Sequence, residues 1–138
     1  MKEVKLLEEK NIKYIVVHCS DTSDNKDLNA LDIHKMHLGF GWDGIGYHKI
    51  IQRNGIIEDG RPLYWIGAHA YGYNDKSISI CLIGRKHFTK KQMTSLKTFL
   101  DWSQKKYPNS KIVGHYQITK SSKTCPNFDV NYWYRNYE

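Results

Sequence analysis

No stretch of this 138-residue sequence approaches the ~20 consecutive apolar residues that a membrane span needs. The opening residues, MKEVKLLEEK, are charged throughout and contain no apolar h-region. They are therefore not expected to act as a secretory signal, and the chain is expected to be made in the cytoplasm. Cysteine is scarce: Cys19, Cys81 and Cys125 make an odd count of 3 with no repeated spacing. That argues against a disulfide framework and for a reducing compartment. The sequence has no internal repeat, low-complexity segment or linker. Its length fits one domain over residues 1–138, large enough to bury a core. An apolar fraction of 40% and an aromatic fraction of 13% exclude a disordered chain.

Positive charge is plentiful. The formal net charge of +7 favours an anionic partner, whether cell wall, nucleic acid or membrane surface. The lysines are scattered rather than packed in one run, which also fits a solvated basic surface.

Residues 1–11 read as a peripheral, solvated lead-in with at most one helical turn. Residues 14–18 are nearly all apolar and predict a buried central strand. A turn-rich loop follows. Asp27 or Asn29 can cap a helix over residues 30–38, and Gly39 sits where a C-cap glycine would fall. His34 and His37 lie three apart on that helix; with no third ligand beside them, they read as helix-surface or packing residues. Residues 47–52 predict a strand, Arg53-Asn54-Gly55 a turn, and residues 56–58 its hairpin partner. The stretch from 60 to 74 lacks periodicity and carries Trp65, His69, Tyr71 and Tyr73; so long a loop in a small domain is usually functional. Residues 77–83 alternate and are rich in isoleucine, a further strand. Thr89-Lys90-Lys91-Gln92 is a capping box opening a helix with Met93, Leu96, Phe99 and Leu100 inside, ending near Tyr107-Pro108. Asp129 can cap a last short helix with Tyr132 and Trp133. Loose alternation of strands and helices with one hairpin fits a mixed sheet covered by helices.

The chemistry concentrates in residues 111–129. A short strand delivers Gly114 and His115 to its end, and a polar loop closes on Lys123-Thr124-Cys125-Pro126. His115 and Cys125 are good zinc ligands, and His18, at the end of the first strand, is the best third. Three protein ligands leave a fourth position for water or a substrate oxygen, as catalytic zinc requires. Such a zinc polarises a carbonyl and acidifies water. A thiolate ligand weakens its Lewis acidity, so other groups must assist. Lys123 could reach an oxyanion, Tyr47 could orient or deprotonate the water, and His69 could line the cleft. On spacing alone each residue keeps a plainer reading. His18 could be a packed core histidine and Cys125 a small hydrophobe. Lys123 is one of many lysines, and Tyr47 could be a core aromatic with a satisfied hydroxyl.

Seven local signatures narrow these alternatives. Ile15-Val16-Val17-His18-Cys19-Ser20, Gly46-Tyr47-His48, Gly60-Arg61, Gly67-Ala68-His69-Ala70, Gly72-Tyr73-Asn74, the run from Ser77 to Gly84, and Lys123-Thr124-Cys125-Pro126-Asn127-Phe128-Asp129 occur in that order. Together they resemble the zinc-dependent N-acetylmuramoyl-L-alanine amidases of the phage-lysozyme type, whose fold peptidoglycan recognition proteins share. The resemblance runs over residues 14–133. It implies one α/β (mixed α+β) domain with a central mixed β-sheet flanked by helices. It also implies hydrolysis of the amide between the lactyl group of N-acetylmuramic acid and L-alanine. By position, His18, His115 and Cys125 match the ligands of one Zn²⁺, Tyr47 and Lys123 the catalytic pair, and His69, Asn74 and Trp42 substrate-binding positions. Non-catalytic recognition proteins of this fold commonly lose the cysteine, which is present here. Two departures touch only the cleft rim: a slightly longer loop between His115 and Cys125, and a short connection at Gly84-Arg85-Lys86-His87.

The resemblance further implies a phage or prophage endolysin with peptidoglycan as substrate, acting on the wall once the membrane is opened. A monomer is expected. A regulatory contact with an RNA polymerase is an additional expectation, and peptidoglycan binding without turnover is the competing one.

Overall fold

The computed structural model describes residues 5–119 and 124–137. Strand β1 (Tyr14–Cys19) is enclosed on both faces, with Ile15, Val16 and Val17 at 0% exposure. A β-branched run covered on both sides is what a central parallel strand requires.

Helix α1 (Ala30–Gly39) is capped by Asn29, not Asp27: Asn29 accepts the Asp32 N–H, and Asp32 accepts the Asn29 N–H. Gly39 is the last helical residue. The left-handed position that ends the helix falls two residues later, at Gly41 with φ of 88°. Strand β2 (Lys49–Ile51) is shorter than the run of apolar and aromatic residues suggests. Tyr47 and His48 lie before it, and the His48 N–H goes to the Ser79 hydroxyl rather than to a backbone carbonyl. A turn through Gly55 leads to β3 (Ile57–Asp59), antiparallel to β2.

Strand β4 (Ser77–Leu82) is buried at every residue. Its alternation separates two interiors rather than core from solvent. Ile78, Ile80 and Leu82 join the larger apolar cluster, while Ser77 and Ser79 hydrogen-bond imidazoles on the other face. Helix α2 (Lys90–Lys106) opens on the Thr89/Gln92 capping box and buries Leu96, Phe99 and Leu100. Strand β5 (Lys111–Gly114) follows, then α3 (Val130–Arg135), capped by Asp129.

The sheet order is β3-β2-β4-β1-β5. All pairings are parallel except β2 with β3, so the sheet is mixed as expected. One face carries the main core with residues of α2 and α3; the other packs Ile50, Cys81 and Ile83 against Ile33 of α1. The described part of the N-terminal segment is exposed except at Leu7 and carries a single 3-10 turn, Glu9–Asn11. It lies antiparallel to the 64–66 segment, with Leu7 N–H donating to Tyr64 O, and seats Leu7 in the core at 5% exposure. No helix among the described residues is long and apolar enough to cross a membrane.

One consequence of this topology positions the site. β1 and β5 are parallel neighbours with Val17 opposite Gly114. Their next residues are His18, still paired with Cys81 of β4, and His115, the first residue past β5, so both histidines sit at the carboxyl ends of these strands, where open α/β sheets place their ligands.

Candidate metal centre

His18 is the penultimate residue of β1 and is 1% exposed. His115 begins the short 3-10 turn after β5. Cys125 is brought back to them by two backbone-anchored contacts. Tyr116 N–H donates to Cys125 O at 3.0 Å, and Cys19 N–H donates to Cys125 Sγ at 3.0 Å. One ligand atom from each of His18, His115 and Cys125 lies within 4.8 Å of the others. It is the one such cluster of three or more potential ligands among the described residues.

These residues line a cleft of about 530 Å³. Tyr47 tilts against His18, ring centroids 5.0 Å apart, and His69 meets His18 edge-on at 5.0 Å. Apolar side chains also line the cleft: Met36 and Phe40 at the end of α1, and Trp42, tilted against His37 with ring centroids 4.5 Å apart. A larger cavity of about 980 Å³ lies beside Arg61 and Trp65, but no cluster of metal ligands faces it.

The electrostatics suit a cation. Burial, then the neighbouring histidines, holds His18 and His69 well below the usual imidazole range, so both rings are neutral and His18 can offer a lone pair. The contact with Cys19, then burial, pushes the Cys125 thiol up. Burial likewise raises Tyr47 well above the ordinary phenol value. Two imidazoles, His18 and His115, and the Cys125 thiol converging in one cleft, with a backbone N–H aimed at the sulfur, are a donor set that fits zinc.

Not every residue expected at the site faces the cleft. His18, His115, Cys125, Tyr47, His69 and Trp42 all line it. Asn74 is not among the lining residues; its Oδ1 accepts the N–H groups of both His69 and Ala70, at 2.9 Å each. Lys123 lies outside the described residues. His34 and His37 are packing residues, as expected: their Nδ1 atoms accept the N–H groups of Ile45 and Gly46. Met36 and Phe40 were not singled out in the sequence. The available signal was an exposed i, i+4 apolar pair at the end of an otherwise polar helix face.

His48, behind the cleft, gives a prediction about acid stability. Burial is the main cause lowering its pKa to about 4, from an ordinary 6.5. The ring is fully enclosed, with Nε2–H donating to Trp65 O and Nδ1 accepting Ser79 N–H. The unfolded chain therefore takes up this proton first. Stability is full above pH 6.5, falls as pH drops toward 4, and loses on the order of 3 kcal/mol from His48 across that window. Urea unfolding midpoints measured between pH 7 and pH 4 should fall steadily; a constant midpoint contradicts the assignment.

Comparison with known proteins gives this site its context. The profile of the N-acetylmuramoyl-L-alanine amidases matches residues 8–128. The endolysin of Enterobacteria phage K11 is 34% identical over 146 aligned residues, covering 100% of this chain and 95% of that protein. Among solved structures, the endolysin amidase LysCS from Clostridium intestinale aligns with a TM-score of 0.78 at 30% identity, covering 91% of this chain and 81% of that one. Wild-type Drosophila PGRP-LB aligns with a TM-score of 0.81 at 29% identity, covering 99% and 86%. A matched profile over nearly the whole chain, on this fold, makes the protein a member of the N-acetylmuramoyl-L-alanine amidase family.

Proposed function

We propose that this chain hydrolyses the amide between the lactyl group of N-acetylmuramic acid and L-alanine in peptidoglycan, using one zinc ion held by His18, His115 and Cys125. The convergence of those three side chains on one cleft carries the reading. Bound there, zinc would polarise the scissile carbonyl and acidify a water molecule. The chain's own residues would do the rest. Tyr47, kept as a phenol by burial, acts as a hydrogen-bonding group that orients the nucleophile rather than as a base. Lys123 supplies a cation for the developing oxyanion, a role assigned by resemblance alone. Trp42, Phe40 and Met36 offer the apolar wall against which substrate packs.

The biological setting is that of an endolysin. Substrate is the wall polymer, reached once the membrane has been opened, and the working form is a monomer. A regulatory contact with an RNA polymerase would be a separate property of the basic surface, tested by pull-down.

The decisive experiment is hydrolysis of purified peptidoglycan by the protein as isolated, after chelation, and after zinc is restored. New alanine amino termini should vanish with the chelator and return with zinc. Binding of wall fragments without any new amino terminus would leave a recognition protein. Tyr47→Phe should lower turnover by about 10²-fold with zinc content unchanged, the range of a lost proton-handling or orienting group.

A further inference from the structure

His69 lines the cleft, yet both of its ring nitrogens are already engaged by the protein. His18 Nε2 lies 2.9 Å from His69 Nδ1. His69 Nε2 lies 3.1 Å from Ser77 Oγ, and Ser77 Oγ lies 2.7 Å from the carbonyl oxygen of Tyr73. The last link fixes the direction of the others. A carbonyl can only accept, so the single hydroxyl proton of Ser77 goes to Tyr73. Toward His69 the Ser77 oxygen must then accept, and His69 Nε2 carries the hydrogen. A neutral imidazole has one N–H, so His69 Nδ1 accepts, and the hydrogen between the two rings belongs to His18 Nε2. His18 is left with its lone pair on Nδ1.

We propose that His69 is a positioning residue: through Ser77 and the Tyr73 carbonyl it locks His18 in the tautomer that offers Nδ1 to the metal. The proposal rests on the zinc reading above for its consequence, but not for its geometry. A ligand imidazole whose other nitrogen is hydrogen-bonded is fixed in tautomer and orientation and is a better donor. The chain is anchored in rigid structure. Ser77 is the first residue of β4, opposite Tyr14 of β1 in the ladder, and is fully buried. The other end of the loop is pinned by Asn74, which gathers the N–H groups of His69 and Ala70. A substrate hydrogen bond to either ring nitrogen of His69 would break a link of this chain. His69 therefore has no ring nitrogen left for substrate, and Asn74 serves the site from behind.

Two measurements test this. In ¹⁵N-histidine-labelled wild-type protein without metal, long-range ¹H–¹⁵N correlation should show His18 as the Nε2–H tautomer; an Nδ1–H tautomer overturns the proposal. Zinc affinity is then compared by chelator competition. His69→Leu should bind zinc about 10- to 100-fold more weakly, the cost usual for a lost partner behind a metal ligand. His69→Gln can accept from His18 and donate to Ser77, and should recover most of that loss. Ser77→Ala removes the anchor and should weaken zinc binding several-fold; it supplies the comparison where His69→Leu does not fold by circular dichroism. Unchanged affinity in the folded variants overturns the proposal. Wild-type protein that binds no zinc overturns the metal reading instead, and the tautomer measured without metal still decides the role of His69.

Discussion

Cys125→Ser is expected to lower peptidoglycan turnover by about 10³-fold or more and to leave the protein unable to retain stoichiometric zinc. In the proposed ligand set Cys125 would provide the only anion, and a serine hydroxyl stays protonated at neutral pH where a metal-bound thiol does not. A lost Lewis acid withdraws several kcal/mol of transition-state stabilisation, and each 1.36 kcal/mol is a factor of ten. The fold should survive. Cys125 is only partly buried, and the serine oxygen can still accept the Cys19 N–H now given to sulfur at 3.0 Å. Metal analysis after dialysis, a rate assay and an urea melt separate these effects. Full turnover with zinc still bound removes Cys125 from the ligand set.

The largest effect on stability is expected from Gly46→Ala. A Cβ at this position would sit 2.0 Å from the Ala68 carbonyl oxygen and 2.8 Å from its carbon. The obstacle is backbone, so no rotamer change relieves it. The two segments are also tied together: Ala68 N–H donates to Gly46 O at 3.1 Å, and Gly46 N–H donates to His37 Nδ1 at 2.9 Å. Separating them strains both bonds at the point where His37, Tyr47 and Ala68 line the cleft. A loss of about 3 kcal/mol is expected, at the upper end of ordinary overpacking. Turnover should fall with it, because Tyr47 is the next residue. A urea midpoint equal to that of the unchanged protein would show that the loop yields freely.

Much of this was legible in the sequence where one local rule decides the outcome. The apolar run at 14–18, the Thr89/Gln92 box and the Asp129 cap each have a single satisfactory structure, and each was found. The end of α1 shows where local rules compete. Gly39 and Gly41 can both close a helix, and only the hydrogen bonds of the following loop choose between them. Leu7 was hidden for another reason. It is one apolar pair within a charged segment, and its burial depends on a partner at residues 64–66 that periodicity cannot reveal. The proposed metal ligands were chemically plausible from the outset, but their spacing alone gave little weight. Family signatures joined them, and the parallel register of β1 and β5 explains why two of them meet. The partners of His69 and Asn74 were beyond reach, since tautomers and backbone acceptors leave no trace in residue order.

The pairing of β1 with β5 also sets an order of events. It joins residue 14 to residue 111, whereas β2 and β3 are joined by a single turn. Contacts so distant along the chain must be closed against a large loss of freedom before they return anything, so they form late. Until β1 pairs with β5, His18 and His115 are not held together. Capture of the proposed metal would therefore wait for the sheet to be completed, and the catalyst would switch on as folding ends rather than growing in by degrees.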